Sequence, residues 1–191
     1  MVSRLPRQPD FAAVEAAAPA FATRQSEILA QIGALGLGWS NNESMLVYVL
    51  MILLDTDDVA AAIIFSTLNT TRARTDLIRR LAMVRITDAD IAQALARLLK
   101  RFDACTLIRN EFNHCVYNLN DRGEITHTQV MRVQERRGAL SLGETRPMDE
   151  ARLKEINETN RQLKRLNRDL WAFLPALKKH IETRKTGGGA P

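Results

Sequence analysis

Along most of this chain apolar residues recur at spacings of three and four, the period of helices that pack by one face. An Ala-rich stretch from about Phe11 to Leu35 predicts a first helix, with Pro19 as a kink or break. Gly36 and Gly38 then punctuate the pattern. Trp39 and Ser40 open a second helix to about Leu54, with Ser40 as a natural N-cap and Glu43 at capping-box spacing. A third helix is expected from about Asp58 to Val84. Thr87 or Asp88 caps a fourth that ends near Val116. After Pro147 a last helix runs from about Asp149 to Arg184.

Between the fourth and last helices the period changes. Val116 to Leu119, the turn Asn120-Asp121-Arg122-Gly123, and Glu124 to Val133 read as a β-hairpin, with a third strand around Ala139 to Leu142. The expected fold is mainly α, a bundle of about five helices with a small β-hairpin insertion before the last long helix. A single helical domain is expected over residues 9–184, with the insertion at 116–143 and a Gly-rich disordered tail at 185–191.

Three seams refine this picture. In the last helix Leu153, Ile156, Asn160, Leu163, Asn167, Leu170, Leu174, Leu177 and Ile181 form a heptad-like stripe. Its two asparagines either set register in a bundle or belong to a homodimer interface. In the fourth helix Ile91, Leu95, Leu98, Phe102, Cys105, Arg109, Phe112 and Val116 alternate likewise, with Arg109 the one charged position. In the second, Glu43 interrupts Trp39, Leu46, Leu50 and Leu53. If those two seams face each other, Glu43 and Arg109 pair, and Glu43 orients the arginine; a capping role is the alternative reading of Glu43.

Composition narrows the class. The 191 residues are 46% hydrophobic but 5% aromatic, which disfavours a β-sandwich. The net charge of +5 permits an anionic partner without requiring one. The apolar run Met45 to Leu54 is about half of what spans a bilayer, so no membrane partner is expected. Met1 to Asp10 has no apolar signal core. Cys105 and Cys115 would lie roughly 15 Å apart in one helix and cannot bridge. Free thiols fit a cytoplasmic location, and no Cys/His cluster suggests a metal or cofactor.

The richest chemistry lies in Arg109-Asn110-Glu111-Phe112-Asn113-His114. Arginine grips phosphate through a planar fork of donors, and histidine moves protons near neutral pH. Together they suffice to cleave a phosphodiester without a metal. On an ideal helix Arg109 and His114 point about 140° apart, whereas Asn110 and His114 share a face. The site is therefore completed by the reach of Arg109 or by a second chain. A structural or merely exposed His114 is the competing reading. In the block Thr70-Thr71-Arg72-Ala73-Arg74-Thr75-Asp76, Arg72 and Arg74 are candidate phosphate ligands, against a solvated helix face. Arg132, Arg136 and Arg137 suit either a nucleic-acid backbone or a charged strand edge. His127 and His180 receive no chemical role.

Arg109-Asn110-x-x-x-His114 resembles the signature of the HEPN superfamily (higher eukaryotes and prokaryotes nucleotide-binding), and the helix order over residues 40–118 and 149–180 is also similar. The resemblance implies a helical bundle, a homodimer with both motifs in a shared cleft, and a metal-independent ribonuclease of a toxin or defence system. His114 would act as general base or acid at the ribose 2′-OH, Arg109 would stabilise the phosphate, and Asn110 would orient either. RNA and a cognate antitoxin or other protein would be the partners. Toxin members often carry a tyrosine two residues after the histidine; here that position is Val116, and Tyr117 follows it. The alternatives are a catalytically inactive helical dimerisation and partner-binding module, or a nucleotide sensor.

Overall fold

The computed structural model describes residues 24–119, 124–131, 133–136, 138–141 and 143–187. Among them are five helices: α1 (Arg24–Leu54), α2 (Asp58–Thr67), α3 (Thr71–Arg85), α4 (Ala89–Asn113) and α5 (Glu150–Gly187). Five short strands lie between α4 and α5: β1 (Cys115–Leu119), β2 (Ile125–Val130), β3 (Gln134–Arg136), β4 (Ala139–Ser141) and β5 (Thr145–Pro147). The architecture is the helical bundle with a small β insertion that the hydrophobic pattern predicts. No helix among these residues is long and apolar enough to cross a membrane.

Helix boundaries differ from expectation in two places. The first two expected helices are joined: α1 runs unbroken through Gly36 and Gly38. A glycine costs a helix only about 1 kcal/mol, less than the burial of Ile28, Leu35 and Trp39 on the same face returns. Gly38 also lets α5 come close. A Cβ there would stand 3.4 Å from that of Leu163. The buried Asn42 amide donates to Gly38 O at 2.7 Å and across to Leu163 O at 3.1 Å. With no helix start at Ser40, the expected capping box has nothing to cap. The portion of the expected first helix before Arg24, with Pro19, lies outside the described residues.

Conversely, the third expected helix is two. Leu68 and Thr70 are extended, and the Thr70 hydroxyl accepts from Ala73 N as the N-cap of α3. Thr70–Asp76 is thus a helix start rather than a helix middle. α1 ends in a Schellman arrangement, with Thr56 N donating to Met51 O and Asp55 N to Ile52 O. Asp55 takes the left-handed conformation (φ 59°) that glycine favours. Arg85, at the end of α3, donates to Leu53 O at 2.9 Å and so ties the two helix ends together.

The core centres on α1, where Met45, Leu46, Val49, Leu50, Met51, Ile52 and Leu53 are all buried. α5 covers it with Ile156, Leu163, Leu166, Leu170, Leu174 and Leu177. Asn160, on that stripe, donates to Gln31 O at 3.0 Å and to Gln31 Oε1 at 2.8 Å. This asparagine sets register inside one chain, as the bundle reading of the seam expects. α5 continues through Gly187, so the first residues of the expected tail are helical.

In the insertion β1 and β2 pair antiparallel from Cys115↔Val130 to Leu119↔Ile125, with an irregularity at Asn118/Leu119. The turn at 120–123 lies outside the described residues. The third strand of this sheet is β5, not the expected segment near Ala139. That segment is β4, which pairs with β3 in a separate two-stranded ribbon, turning at Gly138 (φ 75°). Gly143 then packs so closely that a Cβ would lie 2.4 Å from Val130 O.

The glycines should therefore respond oppositely to alanine. Gly33 and Gly36 have open space where a Cβ would go. Alanine at either is expected to raise stability in urea melts by about 0.5–1 kcal/mol. Gly143→Ala should lower it by about 1–3 kcal/mol, because the backbone of β2 must move. A destabilising Gly36→Ala would mean that α1 is not continuous there.

Candidate functional site

α4 stops at Asn113, one turn short of expectation, and His114 is its non-helical C-cap (φ −123°, ψ 29°). The backbone of His114 is held from both sides: its N–H donates to Asn110 O at 3.1 Å, and its carbonyl accepts from Met131 N at 3.3 Å. The imidazole is exposed. Asn110 and His114 line one open groove of about 700 Å³. Leu107 and Ile108 form its α4 wall, Val130 and Met131 stand at the β2 end, and Glu111 and Arg146 complete it.

Arg109 points elsewhere, as its angular offset requires. Its guanidinium carbon lies 4.0 Å from the centroid of the Trp39 ring, a favourable cation–π placement. Nη1 donates to Asn110 Oδ1 at 3.0 Å. The Asn113 amide, turned to present its oxygen, accepts from Nε at 3.0 Å and Nη2 at 2.9 Å. Trp39 is itself fixed, donating to Thr106 Oγ1 at 2.8 Å and stacking on Phe102. The charged position of the α4 seam is therefore met by a π face and two amides, and Asn110 joins Arg109 to the groove.

The expected Glu43–Arg109 pair does not form. Glu43 accepts from Thr71 Oγ1 at 2.7 Å and pairs with Arg74 at 2.9 Å. The break at 68–70 is the reason, because it sets the first turn of α3 over this face of α1. Arg74 also donates to Phe65 O and Leu68 O and lies over the Phe65 ring. It is an internal latch rather than a free phosphate ligand. Arg72, in contrast, is 92% exposed in its side chain and lies 3.8 Å from Asp76. Neither arginine lines the groove.

A second charged group was not anticipated. Glu111 meets Arg146 at 3.1 Å and Arg152 at 3.0 Å, and Glu155 pairs with the same two arginines. The Arg152 side chain is 3% exposed and stacks on Phe112, 4.3 Å from the ring centroid. The spacing Arg152-x-x-Glu155 was a readable one-face pair; the link to Glu111 and Arg146 is tertiary. These four charges balance, and the two that line the groove, Glu111 and Arg146, offset each other.

His127 is exposed on β2. His180 accepts from Thr87 N at 3.2 Å through Nε2 and so acts as a structural acceptor. Cys115 lies in β1 rather than in α4, and both thiols are free. Burial pushes the Cys105 and Cys115 thiols and the Tyr117 phenol above their ordinary ranges. The Tyr117 hydroxyl donates to Phe112 O at 2.7 Å and closes the end of α4. Arg132, Arg137 and the side chain of Arg136 lie outside what is described. Among the described residues no three His, Cys, Asp or Glu side chains cluster to hold a metal ion.

These partners predict how charge deletions combine. In urea unfolding, Glu43→Gln and Arg74→Met should couple by about 1 kcal/mol or more, whereas Glu43→Gln and Arg109→Met should add within about 0.5 kcal/mol. The reverse pattern would place Glu43 against Arg109 instead. Compared with protein-family models, curated proteins and solved structures, the chain matches none.

Proposed function

We propose that this protein is a HEPN-like, metal-independent endoribonuclease that acts as a cytoplasmic homodimer in a toxin or defence system. The observation that carries the reading is the joint placement of Asn110 and His114 on one open groove, with Arg109 one hydrogen bond away through Asn110. An exposed imidazole on a pinned backbone can take the proton of a ribose 2′-OH. The 2′-oxygen then attacks phosphorus, the 5′-oxygen leaves with a proton, and a 2′,3′-cyclic phosphate remains. Arg109, acting through Asn110 or from the second copy of the chain, would stabilise the extra negative charge of that transition state. A second His114 across a dimer cleft would supply the leaving group's proton.

A second reading has its own support. Leu107 is 70% exposed and Met131 54%, both on the groove, and Glu111 offsets Arg146 beside them. An apolar, nearly neutral groove suits a catalytically inactive module that dimerises or holds a protein partner such as an antitoxin.

Two measurements separate these readings. Wild type should cleave single-stranded RNA in EDTA and leave 2′,3′-cyclic ends, and His114→Ala should lose at least about 100-fold of the rate with unchanged helicity. Equal cleavage by both proteins would sink the nuclease. By sedimentation at tens of micromolar the protein should be a dimer, and Leu107→Glu should shift it toward monomer. A wild-type monomer would remove both the composite site and the dimerisation module.

A further inference from the structure

α5 carries Arg161, Lys164, Arg165 and Arg168 at i, i+3, i+4 and i+7, the spacing of a single helix face. Leu163, Leu166 and Leu170 bury the opposite side. The Arg161 and Arg165 side chains are 58% and 55% exposed; Lys164 is exposed and Arg168 half-buried. No acidic residue falls between Arg161 and Arg168. Glu158, just before this run, takes Arg161 at 2.9 Å and Arg165 at 2.8 Å and spreads the two guanidiniums along the helix. Asp169, just after it, pairs with Arg101 of α4. Among the described residues, Arg161 and Arg165 thus share the single carboxylate of Glu158.

The stripe is placed beside the groove. α4 and α5 run antiparallel: Glu111 meets Arg152, and the Cys105 thiol meets Gln162 Oε1 at 3.9 Å. Arg161 follows Glu155, the partner of the groove residue Arg146, by about 9 Å along the axis, and the stripe continues for about 10 Å more. Its neighbours are polar: Gln162 is exposed, and Asn157, Glu158 and Asn167 are half-buried. A helix that docks on a membrane surface would set Trp, Phe or Leu beside its cations. Trp171, three residues past Arg168, is half-buried and tilts against Tyr48 of α1, so the stripe presents three forked guanidiniums and one ammonium.

We propose that Arg161, Lys164, Arg165 and Arg168 form a track for the phosphate backbone of single-stranded RNA whose reacting nucleotide lies in the His114 groove. The proposal rests on the ribonuclease reading for the nature of the strand. Contacts to phosphate alone position a strand without reading its sequence.

The test is fluorescence anisotropy of full-length protein with a labelled 20-nucleotide oligouridylate. Its riboses are 2′-O-methylated, so that attack by the 2′-oxygen is blocked. Affinity should fall with KCl with a log–log slope near about −3, as four phosphates on a single strand imply. Lys164→Glu/Arg165→Glu should weaken binding at least about tenfold at low salt, since it reverses half of those contacts. Lys178→Glu/Lys179→Glu changes the net charge equally on the same helix and should stay within about twofold, the change expected when no phosphate contact is lost. Both doubles should melt like wild type.

Equal weakening by the two doubles, or none by the first, overturns the track, as does stripe-dependent binding to phosphatidylserine vesicles without binding to the oligonucleotide. Cleavage of unmodified RNA together with full binding by the stripe double removes the track and leaves the nuclease. Stripe-dependent binding without cleavage by wild type removes the nuclease and leaves the track.

Discussion

α1 is apolar on nearly every side through its second half, and the rest of the bundle is arranged to enclose it. Seven of the nine residues from Met45 to Leu53 are buried, which a single packing partner cannot achieve. α5 takes one side, and α2, α3 and α4 take the others. Polar atoms on α1 then fix how three of these neighbours sit. Asn42 bonds a backbone carbonyl of α5, and Gln31 receives Asn160. Glu43 anchors the start of α3. Trp39 carries Arg109 of α4. One helix thus supplies the core and most of the register marks.

The β insertion is attached by charge as much as by apolar contact. A guanidinium as buried as that of Arg152 must find acceptors or destabilise the fold. Its Nη2 and Nη1 find them in Glu111 of α4 and Glu155 of its own helix, while Nε has none among the described residues, and Arg146 of β5 bridges the same two carboxylates. This arrangement joins the end of α4, the sheet and the start of α5 at one point. Because the backbone of His114 is also held by Met131, just after β2, the insertion fixes the main chain that carries the candidate catalytic side chain. The hairpin is therefore part of the site rather than an ornament on the bundle.

Within the motif the residues divide by direction. Arg109 faces the bundle, on Trp39, and His114 faces the groove; Asn110 touches both. A reaction needing both arginine and imidazole at one phosphate would use that link or a second copy of the chain. The basic face of α5 begins at Arg161, about 9 Å along that helix from Glu155, the partner of the groove residue Arg146.

Helix periodicity alone determined the mainly helical class, the position of the β insertion and the long final helix, because one-face burial writes itself into spacings of three and four. It also marked Arg109 as the charged exception on an apolar seam and set His114 apart from it in direction. Local signals misled where tertiary burial outweighed them. Gly36 and Gly38 look like a break, yet they lie within a helix whose packing exceeds their cost. Residues 58–84 look continuous, yet the chain turns at Leu68–Thr70 to bring Arg74 onto Glu43. The partner of Glu43, the acceptors of Arg109 and the Glu111–Arg146–Arg152–Glu155 group were decided only by the fold. Each joins residues far apart in the chain or depends on where Trp39 stands, and a charge on a seam states that it needs a partner without stating which one.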